Sequence, residues 1–157
     1  MVPRVSTANQ LVQDAWRDGR CPYIDGVLFS DGRIILHDVT HEASGRVTVT
    51  PLLASTIESY VEFNKDSWNS PTATTSLAIR DSLRTVAGEG SWGSDGFVAL
   101  CDGESLVWGV FSRWCNPVSK VSYEQENNTV VARTTSGNVW RIPLDRPGEL
   151  EIGFSPR

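Results

Sequence analysis

From Gly96 to Phe154 the chain alternates short apolar runs with turn signals. GFVALC, SLVWGVF, KVSYEQ, TVVART, NVWRIP and ELEIGF are rich in Val, Ile, Phe, Tyr and Trp, residues that fit a pleated, half-buried surface. Asp102-Gly103, Asn127-Asn128, Ser136-Gly137 and Pro147-Gly148 separate them and supply the backbone angles that tight hairpins need. The pattern predicts an antiparallel β-meander. Leu106, Trp108 and Val110 alternate with Val107, Gly109 and Phe111. Both faces of that strand are apolar, so it is expected to be central and covered on both sides, with Trp108 buried. Trp140 and Ile142 are placed opposite Val139 and Arg141, and Leu150, Ile152 and Phe154 opposite Glu149 and Glu151.

The preceding residues read differently. Ser6 or Thr7 can cap a helix with Leu11, Val12, Ala15 and Trp16 on one face, ended at Asp18-Gly19. Val27 to Phe29 and Arg33 to His37 read as a hairpin around Ser30-Asp31-Gly32, and Arg46 to Thr50 as a further strand. Thr50-Pro51 is a helix-start signal followed by Leu52, Leu53, Ile57, Tyr60, Val61 and Phe63. A third helix is predicted from about Thr74 to Ala87 on the spacing of Leu77, Leu83 and Val86. The fold class expected is α+β, an antiparallel β-meander in the C-terminal half with about three helices packed on the sheet. The 157 residues predict a single globular domain, 1–157.

Composition narrows the function. The chain carries a formal charge of −5, which argues against nucleic acid as partner, because phosphate neutralisation needs clustered Lys and Arg. It suits a basic protein partner. Twelve acids stand against eight bases before Gly96, and seven against six after it, so an acidic contact surface is expected in the earlier part. No apolar run approaches a membrane span, and the amino terminus lacks the apolar core of a signal peptide. The expected compartment is the cytoplasm. Cys21, Cys101 and Cys115 are odd in number and far apart, which predicts buried free thiols rather than zinc or disulfides.

Candidate chemistry is sparse. Gly88, Gly90 and Gly93 match G-x-G-x-x-G, but the loop is read as opening a strand and its Glu89 and Asp95 repel phosphate, so a dinucleotide site is not expected. The loop is read as a wide turn with Trp92 tucked onto the core, or as an exposed aromatic flanked by acids and suited to a protein contact. His37 and His41 lie in HDVTHE with Asp38 and Glu42. An H-x-x-x-H metal pair needs a helix to align both rings, and this segment reads as a strand end, so no metal and no cofactor is expected. Asn127-x-Thr129 is read as a turn.

The stretch GSDGFVALCDGESLVWGVFSRWCNPVSKV, followed by VVARTTSGNVWRIPL, resembles small bacterial proteins of the polymorphic-toxin immunity class. The features shared are the aromatic hairpin, the Asn-Pro after it, and the closing strand with Gly137, Trp140, Ile142, Pro143 and Leu144. The resemblance implies a small cytoplasmic α+β domain that blocks a toxin. The expected function is therefore non-enzymatic protein binding, as an immunity or antitoxin-type inhibitor of a cationic toxin domain. The expected contact residues are Glu89, Trp92 and Asp95, helped by Asp38 and Glu42. The alternatives are a small hydrolase-like enzyme using His37 as general base with Asp38 or Glu42, and an accessory subunit of a larger, phage-related assembly.

Overall fold

A computed structural model describes residues 6–155. It corrects the expected fold class: 54% of the chain is strand, in three antiparallel sheets, with two short α-helices among the described residues. The protein is mainly β, not α+β with three helices.

Helix α1 (Ala8–Arg17) forms as its sequence predicts. Thr7 caps it through a full capping box with Gln10, and Val12 and Ala15 are buried. Strands β1 (Cys21–Pro22) and β5 (Trp68–Asn69) make a two-residue ribbon. The predicted hairpin is present as β2 (Gly26–Phe29) and β3 (Arg33–His41). The next strand, β4 (Val47–Thr56), runs past Thr50-Pro51. The helix expected from Pro51 is reduced to α2 (Ile57–Phe63), with Thr56 as its cap. Pairing of β4 along the whole of β3 outweighs the local helix signal. Pro51 is tolerated because β4 is an edge strand whose outer N–H groups need no partner. The pairing slips at Leu52, and such a bulge discourages edge-to-edge association.

The third predicted helix does not form. Residues 74–87 lie in the hairpin of β6 (Thr72–Arg80) and β7 (Leu83–Glu89). The segment follows strand periodicity: Thr75, Leu77 and Ile79 are half-buried while Ser76, Ala78 and Arg80 are exposed, a period of two. Asp81 makes the turn with φ of 48°, a backbone region that Asp visits more readily than most residues.

The six C-terminal segments are strands as expected, but they divide between two sheets. Strands β8 (Gly96–Asp102) and β9 (Ser105–Ser112) belong to a seven-stranded sheet of order β4-β3-β2-β9-β8-β7-β6. Strands β10 (Val118–Glu124), β11 (Thr129–Thr134), β12 (Asn138–Pro143) and β13 (Glu151–Phe154) form a four-stranded sheet. Residues 23–50 thus extend the large sheet and not the C-terminal one. The helices cover one face of the large sheet and the small sheet covers the other. Two cores follow. Ile34, Ile57, Phe97 and Phe111 lie in the helix-side core. Val98, Trp108, Val110, Trp140 and Ile142 lie between the sheets.

Strand β9 is the middle strand of seven, and Trp108 is 2% exposed. The Asp102–Ser105 hairpin closes with Gly103 at φ of 60°, the positive angle that a two-residue loop opening on glycine uses. Leu100 pairs with Trp108 but Cys101 pairs with Leu106, so Val107 is an extra residue in the ladder. This bulge corrects the expected alternation: Leu106 joins the helix-side core while Trp108 faces the small sheet.

All three cysteines are buried free thiols. Burial pushes the Cys115 thiol up to about 12 and raises Cys21 and Cys101 as well. A thiolate is the reactive form, so native protein is expected to resist a thiol reagent such as DTNB at pH 8. All three should react in denaturant. Rapid labelling of a native thiol contradicts this burial.

Candidate functional site

Two loops at one end of the large sheet carry the most exposed aromatic rings there. The first joins β7 to β8. Asp95 closes it from inside: it is 2% exposed and accepts hydrogen bonds from the Gly90 backbone N–H (3.2 Å) and from the Asn69 side-chain amide. Asn69 Oδ1 accepts in turn from the N–H of Ser91 (2.8 Å). A Cβ on Gly90 would lie 2.0 Å from Asp95 Oδ2, so glycine is needed for this close approach. With its base fixed, the loop turns Trp92 outward, 67% exposed. The expectation that Trp92 tucks onto the core is corrected. The loop also follows a strand, not a helix.

The second loop, residues 113–117, carries the chain from the large sheet to the small one. Asp25, 6% exposed at the start of β2, anchors it. Its carboxylate accepts from the Arg113 backbone N–H (2.7 Å) and from Arg113 Nε (2.9 Å). The Asn116 N–H donates to Ser94 O, and Ser136 Oγ donates to Cys115 O. The loop is thus tied to both neighbouring turns.

These anchors align five side chains. The Tyr23 ring lies 5.8 Å from Trp92. The Arg113 guanidinium lies 5.6 Å from the Tyr23 ring and 6.0 Å from that of Trp114. Trp114, 47% exposed, stacks on His41 at 5.6 Å and 27°. The stripe Trp92–Tyr23–Arg113–Trp114–His41 is continuous, and each step is an aromatic or cation–π contact. The void beneath it, beside Cys21, Asn69 and Asp95, is about 10 Å³, room for about one water. The stripe is a surface and not a small-molecule pocket.

The predicted contact residues divide around it. Trp92 stands at one end. Asp95 is internal and cannot touch a partner. Glu89 ends β7, half-buried. Glu42 follows His41 at the other end and accepts from Ser44 Oγ (3.3 Å). Asp38 is exposed in β3 opposite Thr50, outside the stripe. Tyr23, Arg113 and Trp114 were not anticipated. Their signal was faint: an Arg-Trp pair beside Asn-Pro, in a loop too short to bury a tryptophan.

His37 is buried, and its backbone N–H donates to Asp25 O (2.9 Å). Among the described residues its ring makes no hydrogen bond to Asp38, Glu42 or another acid. Desolvation lowers its pKa from 6.5, opposed in part by the Asp25 charge. The unfolded chain therefore takes the proton first. The stability contributed by neutral His37 is whole above pH 6.5 and is lost as pH falls through the folded value. His37→Gln is expected to flatten the fall in Tm between pH 7 and pH 5. An unchanged slope contradicts this role.

Among the described residues no helix is long and apolar enough to cross a membrane, and no three His, Cys, Asp or Glu side chains converge as a metal site. No family model, curated protein or solved structure matches the chain.

Proposed function

We propose that this chain is a non-enzymatic protein-binding domain, an inhibitor of the immunity or antitoxin type acting in the cytoplasm, and that its contact surface is centred on the Trp92–Trp114 stripe. The observation that supports this reading is the stripe itself. Trp, Tyr and Arg are the residues that dominate binding energy at protein interfaces. Here Trp92 and Trp114 are exposed and Tyr23 and Arg113 half-buried between them, on loops braced from below by Asp95 and Asp25, so little conformational freedom remains to be lost on association. The net charge of −5 favours a basic partner, and Glu42 and Glu89 supply acidic groups near the two ends. Complementary charge of this kind raises the association rate more than the final affinity.

The test is affinity capture from the source cells, mass-spectrometric identification, and titration of the purified partner. Trp92→Ala and Trp114→Ala are each expected to weaken binding by about 2 kcal/mol or more, near thirty-fold. The same changes should alter stability by only about 0.5 kcal/mol, as exposed substitutions do. Reversal of Glu42 and Glu89 to lysine should slow association and reduce its salt dependence. A partner whose affinity ignores both tryptophans removes this reading.

A further inference from the structure

On the outer face of the small sheet, Lys120 of β10 and Arg133 of β11 stand directly opposite each other. Like charges at a cross-strand pair repel, with their Cβ atoms about 5 Å apart. Neither makes an ion pair or a side-chain hydrogen bond among the described residues, in a chain with two lysines and a net charge of −5. Both line a cleft of about 470 Å³ that no carboxylate lines among the described residues. Its other walls include Ser44, Thr135, Ser136 and Ser155. The floor is fixed by Asn138, fully buried, which accepts from the Val47 N–H (2.8 Å) and donates to Gly45 O (2.8 Å) and Ser136 Oγ (3.0 Å). Ser44 and Ser136 direct their protons to Glu42 and Cys115 O, while Thr135 and Ser155 have no side-chain partner among the described residues. Glu42 stands at the rim behind Ser44.

We infer that this cleft binds a tetrahedral oxyanion of the phosphate class. Two cations held side by side match one dianion, which would turn their mutual repulsion into two charge-assisted hydrogen bonds. The free hydroxyls of Thr135 and Ser155 add donors. The inference is independent of the role given to the aromatic stripe.

Thermal unfolding at constant ionic strength tests it, with sodium chloride replaced stepwise by inorganic phosphate. Phosphate stabilises any folded protein weakly by exclusion from its surface, and that gain grows without saturating. Binding adds a saturable rise. The saturable rise is expected in the native chain and in the control Lys65→Gln. Calorimetric titration should show at least ten-fold weaker phosphate binding for Lys120→Gln and for Arg133→Gln, whose melting in chloride alone should not fall. The same unsaturated rise in all four proteins overturns the inference, as does binding that persists in the double variant. Phenyl phosphate separates a free anion from an ester: tighter binding than phosphate points to a monoester, and weaker binding to the free ion, both within the inferred class.

Discussion

Trp108→Ala is expected to destabilise the protein by about 3–5 kcal/mol, the range for a large aromatic removed from a packed core. Trp108 is 2% exposed in the middle strand and faces the small sheet. Its indole N–H donates to Leu144 O (2.9 Å). Alanine leaves a cavity between the sheets and also orphans that carbonyl, which places the cost toward the upper end. A comparison with Trp140 isolates the hydrogen bond. Trp140 is 1% exposed and its Nε1 is buried without a partner. Phe at either position shrinks the ring, but Trp108→Phe strands an acceptor whereas Trp140→Phe removes an unpaired donor. Trp108→Phe should therefore be the costlier change, by about 1–3 kcal/mol. Urea unfolding of the three variants measures this. Equal midpoints for the two Phe variants contradict the assigned geometry.

Asp25→Ala should act on stability and binding together. A partner lost from a fully buried ion pair costs about 3–5 kcal/mol. The Arg113 side chain is 40% exposed and can turn to water, so about 2–3 kcal/mol is expected once that screening is allowed for. The Arg113 backbone N–H loses its acceptor as well. Freed from Asp25, Arg113 and Trp114 should wander, and partner affinity should drop although neither residue has changed. Asp25→Asn keeps an acceptor for one of the two donors and should fall between. The His37 pKa should also move further below 6.5, because the Asp25 charge raises it. Loss of stability with full partner affinity would show that the Asp25 anchor does not position the stripe.

The strands were more legible than the helices, for a physical reason. From β8 to β13 each apolar run is bounded by turn residues, and apart from the face of Leu106 local pattern and final structure agree. Where they conflicted, long-range pairing prevailed. Thr50-Pro51 looks like a helix start, yet β3 supplies a partner strand as far as Thr56. Residues 74–87 mix two periodicities, and β8 beside β7 decides for the strand. The sheet to which each strand belongs could not be read, because nothing local tells β9 that its neighbours are β2 and β8. The Val107 bulge was hidden for the same reason. At the site, Trp92 was visible as a lone aromatic among glycines. Its companions come from 69 residues upstream at Tyr23 and 22 downstream at Trp114, a proximity that exists only after folding. Asp95 read as a surface acid because sequence does not show that Asn69 and Gly90 enclose it.

The most direct measurement is the dissociation constant of the captured partner for the native chain and for Trp92→Ala/Trp114→Ala, with Tm recorded on both proteins. Two contacts of about 2 kcal/mol each correspond to a loss near a thousand-fold if they add. At least a hundred-fold weaker binding is expected, with Tm shifted by no more than about 4 °C. Equal affinity of the two proteins contradicts it.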